Sequence, residues 1–231
     1  MLQKYKNIFT KDQIWLYLLT LVSAILITWI GITLKQPFYH IFPLYISLLI
    51  GVLQSRANRY APLLGSINCL IYTVVNISLR LYASAASALF FTGPMQLATF
   101  IRWSKQPYKQ STKFKQLQPW HWIIVVVFLV VGFIVMNFFL TKAEANSQIL
   151  DSTCSLLGFC ASILSLLSFR EYSWFMAAYS FLVIGLNASM VPTYPAHLTY
   201  VIYAIHSCIC MVLQFICVRK LYKEQTAEVT E

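Results

Sequence analysis

Residues 102–140 read RWSKQPYKQSTKFKQLQPWHWIIVVVFLVVGFIVMNFFL, a run rich in lysine and arginine followed by a stretch nearly without polar side chains. The apolar part, His121–Leu140, is about as long as an α-helix must be to cross a hydrocarbon core, roughly 20 residues. Val, Ile, Phe and Leu dominate it, and Asn137 is its one midspan polar residue. Trp120 and Trp122 flank it at the depth where headgroups lie. A basic gap beside a greasy span is the signature of a chain threaded through a bilayer.

The same alternation runs outward in both directions. Further apolar stretches occupy Ile14–Leu34, Pro37–Gln54, Ala61–Leu79, Ala83–Ile101, Ile149–Phe169, Tyr172–Met190 and Ala196–Val218, so eight spans are expected. Lysine and arginine collect in every second gap. Lys4, Lys6, Lys11, Arg56, Arg59, Arg102, Lys105, Lys109, Lys113, Lys115, Arg170, Arg219, Lys220 and Lys223 share one side, and only Lys35, Arg80 and Lys142 fall on the other. The positive-inside rule then predicts a multi-pass protein of the cell inner (plasma) membrane with both termini in the cytoplasm.

At 59% hydrophobic and 10% charged residues, the chain has no room for a separate soluble domain. Its net charge of +10 reads as topogenic charge beside anionic headgroups rather than as a nucleic-acid surface. The first span has full length and no small-residue cleavage site, so it is expected to stay as a helix. All six cysteines sit inside apolar spans, where Cys behaves as a small hydrophobe, so neither a disulfide framework nor a metal site is implied. Residues 102–119 read as a linker rather than a fold.

The expected organisation is an N-terminal segment and extra transmembrane helix (1–36), then a three-helix repeat (37–103). A basic cytoplasmic linker and connector helix (104–140), a second three-helix repeat (141–218) and a cytoplasmic tail (219–231) follow. Two triplets joined through one lipid-facing helix run parallel, an arrangement that can enclose a midplane site.

Four spans carry polar stripes at helical spacing. The third has Gly65, Asn68, Tyr72 and Asn76, and the fourth has Thr92, Gln96, Thr99 and Trp103. The sixth has Asp151, Ser155, Gly158, Ser162 and Ser165, and the eighth has Thr199, Tyr203, His206, Cys210 and Gln214. Polar groups facing hydrocarbon are costly, so stripes face other helices or a watered cavity. The Ser/Gly stripe suits packing, the midspan amides suit a cavity, and His206 suits either a structural hydrogen bond or a ligand. No span holds a midplane acid–base pair, and there is no Walker, HExxH, Asp-rich prenyl-diphosphate or GxSxG motif. Neither an ion-coupled pump nor an enzyme is indicated, and no cofactor is implied.

The triplets resemble the PnuC family of vitamin transporters. The first shows Gly65-Ser66-Ile67-Asn68, Leu81-Tyr82-Ala83-Ser84, and a Gln96 region closing on Trp103-Ser104-Lys105. The second shows Asp151-Ser152-Thr153-Cys154, a serine-rich helix, and Arg170-Glu171-Tyr172-Ser173-Trp174. Pro62, Ala177 and Phe181 stand where the family has Trp, Trp and an Asn or Asp. The resemblance implies an all-α integral membrane protein with a SWEET-like 3+1+3 helix arrangement and one extra N-terminal helix. It also implies facilitated diffusion of a vitamin precursor, nicotinamide riboside first, drawn inward by a cytoplasmic vitamin kinase. Thiamine or a riboflavin-like vitamin is the alternative within the family. A non-transporting membrane sensor or assembly partner is the alternative outside it, and a homo-oligomer is compatible with all of these. The candidate substrate-binding set is Asn68, Tyr72, Asn76, Gln96, Trp174, Tyr179, Tyr203, His206 and Gln214, with aromatic rings for stacking and amides for a polar edge.

Overall fold

The computed structural model describes residues 11–142 and 148–230, so Lys4 and Lys6 of the basic count lie outside the described residues. The chain runs through α1 (Lys11–Thr33), α2 (Phe38–Ser55), α3 (Ala61–Ser78), α4 (Tyr82–Ala86), a π-helical turn (Ser87–Thr92) and α5 (Gly93–Lys105). A two-stranded antiparallel hairpin, β1 (Pro107–Tyr108) and β2 (Ser111–Thr112), follows. Then come α6 (Pro119–Lys142), α7 (Gln148–Leu166), α8 (Tyr172–Met190) and α9 (His197–Thr230). Among the described residues, seven helices are long and apolar enough to cross a membrane.

Of the eight expected spans the fourth, Ala83–Ile101, is the one that departs. Its helical path is continuous from Tyr82 to Lys105 but changes from α to π and back. Pro94 contributes no N–H, and π turns and proline are recognised causes of a break in a membrane helix. Gly93 is small enough to sit against Cys69 of α3, since a Cβ there would come within 3.3 Å of the Cys69 Cβ.

Four turns between helices close the same way. At each of α1, α2, α3 and α7 a residue with positive φ ends the helix: Lys35, Ala57, Arg80 and Ser168. The amides of that residue and the next reach back into the last turn, as Arg80 N–H to Ile77 O (3.1 Å) and Leu81 N–H to Asn76 O (2.9 Å) illustrate. This is the Schellman arrangement, made here without glycine. It satisfies the last carbonyls, which apolar surroundings would otherwise leave without partners.

Helices α2, α3 and α4–α5 pack on one another, as do α7, α8 and α9, while α2 meets α9 and α5 meets α7 across the centre. Helix α1 lies against α2 and α9. Helix α6 packs on α7 and presents Ile123, Val127, Val130, Ile134 and Phe138 outward. Its exposed apolar face fits contact with lipid tails.

Residues 106–118 are more than a linker. Ser111, Thr112, Phe114 and Leu117 are buried, and the segment is tied to two other parts of the chain. Gln225 of α9 accepts from Phe114 N–H (2.9 Å) and donates to Thr112 O (2.9 Å), and Lys109 Nζ pairs with Glu224 at 2.6 Å. On the other side Lys115 bridges the α7–α8 turn through Ser168 O and Arg170 N–H, and Glu171 accepts from Leu117 N–H (3.1 Å). Helix α9 reaches the hairpin because its 34 residues extend about 50 Å, well beyond the roughly 30 Å hydrocarbon core. The expected tail from Arg219 onward is therefore helical up to Thr230.

Candidate functional site

A cavity of ≈ 230 Å³ lies between the two groups of helices, walled by α2, α3, the bent α4–α5 helix, α7, α8 and α9. The α3 stripe supplies one wall: Gly65, Asn68, Tyr72 and Asn76 all line it, because steps of three and four return to the same face. Asn68 is buried and donates through Nδ2 to Ser47 Oγ (2.7 Å) and Pro43 O (3.3 Å). Ser47 Oγ in turn donates to the Tyr72 hydroxyl at 3.2 Å. The α2–α3 pair is thus latched, while Asn68 Oδ1 is buried with no protein partner.

Gln96 of α5 reaches across to the same wall. Its Oε1 lies 1.8 Å from where a Cβ on Gly65 would stand, so the missing side chain at Gly65 is what admits the carboxamide. Gln96 Oε1 is likewise buried without a protein partner. Tyr179 of α8 rests on Gly158 of α7, and Tyr203 of α9 joins Tyr72 and Tyr179 in giving the cavity phenol rings. A buried carbonyl without a donor costs about 1–3 kcal/mol, so two of them mark places where a donor-bearing ligand gains.

The bent helix is held to the opposite group by Asp151. That carboxylate has no exposed surface and accepts from Ala83 N–H (3.2 Å) and from the Ser84 hydroxyl at the start of α4. Ser84 also meets Ser155 Oγ at 3.3 Å. An acidic side chain at a helix N-terminus satisfies N–H groups that lack intrahelical acceptors and complements the helix dipole. Asp151 is thus a buried cap joining α7 to α4.

Of the nine residues singled out from sequence, Asn68, Tyr72, Asn76, Gln96, Tyr179 and Tyr203 line the cavity. Three do not. Trp174 lies outside, 58% exposed, with its ring edge-to-face with Phe215 at 4.9 Å. Met176 faces inward from α8, and two residues of helix turn the side chain by about 200°, which sends Trp174 the other way. His206 is buried against α1 and α2, its Nε2 3.0 Å from Thr20 Oγ1 and its ring close to Gly51. Helix α1 covers that face of α9, so the α9 stripe serves two interfaces. Gln214 sits below the cavity, donating to the Tyr172 hydroxyl at 3.2 Å.

Other lining residues were passed over. Ser47 and Gln54 line the cavity from α2, and their seven-residue spacing, continued back to His40, puts them on one helical face. Asn187, also in the lining, is the amide in the last turns of α8, and its Oδ1 meets His197 Nδ1 at 3.2 Å. Among the described residues no group of three or more His, Cys, Asp or Glu side chains is placed to hold a metal.

No curated protein matches the chain. Its fold matches the crystal structure of the vitamin B3 transporter PnuC with a TM-score of 0.79 and 20% identity, covering 95% of each chain. A family model described as nicotinamide mononucleotide transporter matches residues 38–214, from the start of α2 to the Gln214 region of α9. That stretch contains every wall of the cavity and leaves out α1. A multi-pass helical membrane protein with this match is a transporter rather than an enzyme, and the chain belongs to the nicotinamide mononucleotide transporter family.

Proposed function

We propose that the chain carries a vitamin precursor, nicotinamide riboside, across the cell inner membrane by facilitated diffusion, with a cytoplasmic kinase trapping the product. The observation that carries this reading is the chemistry of the cavity wall. It offers the phenol rings of Tyr72, Tyr179 and Tyr203 and the unpartnered amide oxygens of Asn68 and Gln96, and its lining contains no Lys, Arg, Asp or Glu. A cationic pyridinium suits aromatic faces, and the donors of a carboxamide and a ribose suit carbonyl oxygens. A phosphate dianion in the same place would be a buried charge without a partner, which favours the nucleoside over the nucleotide. With no charge in the lining to hold a driving ion, downhill flux is the mode that fits. Uptake of labelled nicotinamide riboside by reconstituted protein tests the reading, with thiamine and riboflavin as the competing cargoes.

In this reading the segmented helix Tyr82–Lys105 is the fourth of eight crossings, since a rise of about 1.5 Å per residue carries it roughly 36 Å. The α2–α5 and α7–α9 groups are then the two repeats of a SWEET-like 3+1+3 arrangement, with α6 as connector and α1 as the additional helix. Both termini and the basic hairpin face the cytoplasm. Ser111 is buried, so exposed Gln110 is the better reporter of that side, and exposed Thr193 reports the other. On a background without the six native cysteines, Thr193→Cys should react with an impermeant thiol reagent in intact cells. Gln110→Cys should react only after lysis, and the reverse pattern would invert the topology.

A further inference from the structure

A second, smaller cavity of ≈ 40 Å³ lies between the central cavity and the hairpin. Gln54, Gln96, Ser162 and Met176 wall both spaces, so the two adjoin. Its far end is closed by Trp103 and Tyr172, whose rings lie 5.8 Å apart and pack with Phe114 of the hairpin segment. Most of its polar groups are already used. Thr99 Oγ1 donates to Met95 O, Ser162 Oγ donates to Gly158 O, and Trp103 Nε1 donates to Ser165 O. Among the buried side-chain atoms of this lining, the oxygens of Gln96 and Gln214 have no partner. Gln214 is 3% exposed, and its amide nitrogen donates to the Tyr172 hydroxyl, which leaves the side-chain oxygen as the free end.

We propose that this small cavity is a second subsite that takes the hydroxymethyl end of a nucleoside, with Gln214 accepting its hydroxyl proton and Gln96 standing at the entrance; the proposal rests on the nucleoside reading given above. Size and chemistry both select that group. A water-sized occupant needs about 10–15 Å³ by this kind of measure, so the space admits a carbon and an oxygen but no ring. The buried Gln214 oxygen is an acceptor, so an occupant that brings a donor is favoured there. Gln96 stands in the wall between the spaces, so a ligand with its ring among the tyrosines would lay its sugar past Gln96 towards Gln214. The hydroxymethyl end would then lead on the hairpin side, and Trp103 with Tyr172 would be the barrier it meets.

Calorimetric titration of the detergent-purified full chain with nicotinamide riboside and with its 5′-deoxy analogue tests the subsite. The native protein is expected to bind the riboside roughly tenfold tighter than the analogue, the scale of one buried hydrogen bond. Gln214→Met should remove most of that preference while binding the analogue as the native protein does. Tyr172→Phe keeps the ring packing but releases the Gln214 carboxamide, so it should also lower the preference, and it carries the test if Gln214→Met is not monodisperse. Equal affinity of the native protein for the two compounds would overturn the subsite and leave the space to water. A preference that survives in both variants would overturn it as well. Binding of neither compound would instead overturn the reading of function itself, so the two failures are distinct.

Discussion

Replacing Asn68 by leucine should weaken binding of the vitamin by about 1–3 kcal/mol, roughly 5-fold to 150-fold in affinity. Leucine keeps the volume but removes the carboxamide. The ligand then loses Oδ1, the buried acceptor that has no protein partner, and Ser47 loses its donor. Gly65→Ala should approach the same loss by another route. A Cβ at Gly65 would stand 1.8 Å from Gln96 Oε1, and the atom that must give way is the tip of a flexible side chain rather than backbone. The fold should therefore tolerate alanine while the Gln96 carboxamide leaves its place. Trp174→Ala is the control, because that indole packs on Phe215 outside the cavity. Affinity measured on monodisperse protein decides. Unchanged binding in both Asn68→Leu and Gly65→Ala would remove this wall from the site.

Asp151→Ala should be among the most destabilising single substitutions in the described chain, by about 2–4 kcal/mol. The carboxylate is wholly buried and accepts from Ala83 N–H and the Ser84 hydroxyl, so alanine strands the buried Ala83 N–H and leaves the Ser84 hydroxyl to Ser155 and the central cavity. A stranded buried donor costs about 1–3 kcal/mol, and the carboxylate's site is left as a cavity between α7 and α4. The N-terminus of α4 also loses the negative charge that complements its dipole. Asp151→Asn retains an acceptor oxygen and should lose clearly less. Thermal unfolding in detergent orders the three proteins, and a melting temperature for Asp151→Ala equal to that of the native chain would contradict the cap.

The parts legible in the sequence were those in which one periodic pattern answers to one environment. The α3 stripe is amide and phenol at steps of three and four, and it faces a single cavity, so its four members arrive together. The α9 stripe fails as a single face because α1 covers His206 while the cavity takes Tyr203. A polar side chain against a neighbouring helix and one against a cavity look alike in one chain. Trp174 was carried by a short motif rather than by periodicity, and helical rotation sends it outward.

Helix ends were illegible for a different reason. Lys35, Ala57, Arg80 and Ser168 adopt a conformation that glycine signals, and none of them is glycine. The hairpin was hidden because strands of two residues have no period to read. Its anchors, Gln225, Glu224 and Glu171, lie 54 to 115 residues away along the chain. The capping role of Asp151 was hidden for the same reason: its partners lie 67 and 68 residues earlier.

The most direct test of the central claim is flux. Proteoliposomes containing the purified chain, with no ion gradient imposed, are given radiolabelled nicotinamide riboside. The account predicts entry faster than into empty liposomes, stopping when internal and external concentrations are equal. No entry above empty liposomes would contradict it, and so would accumulation beyond equality that an ionophore collapses.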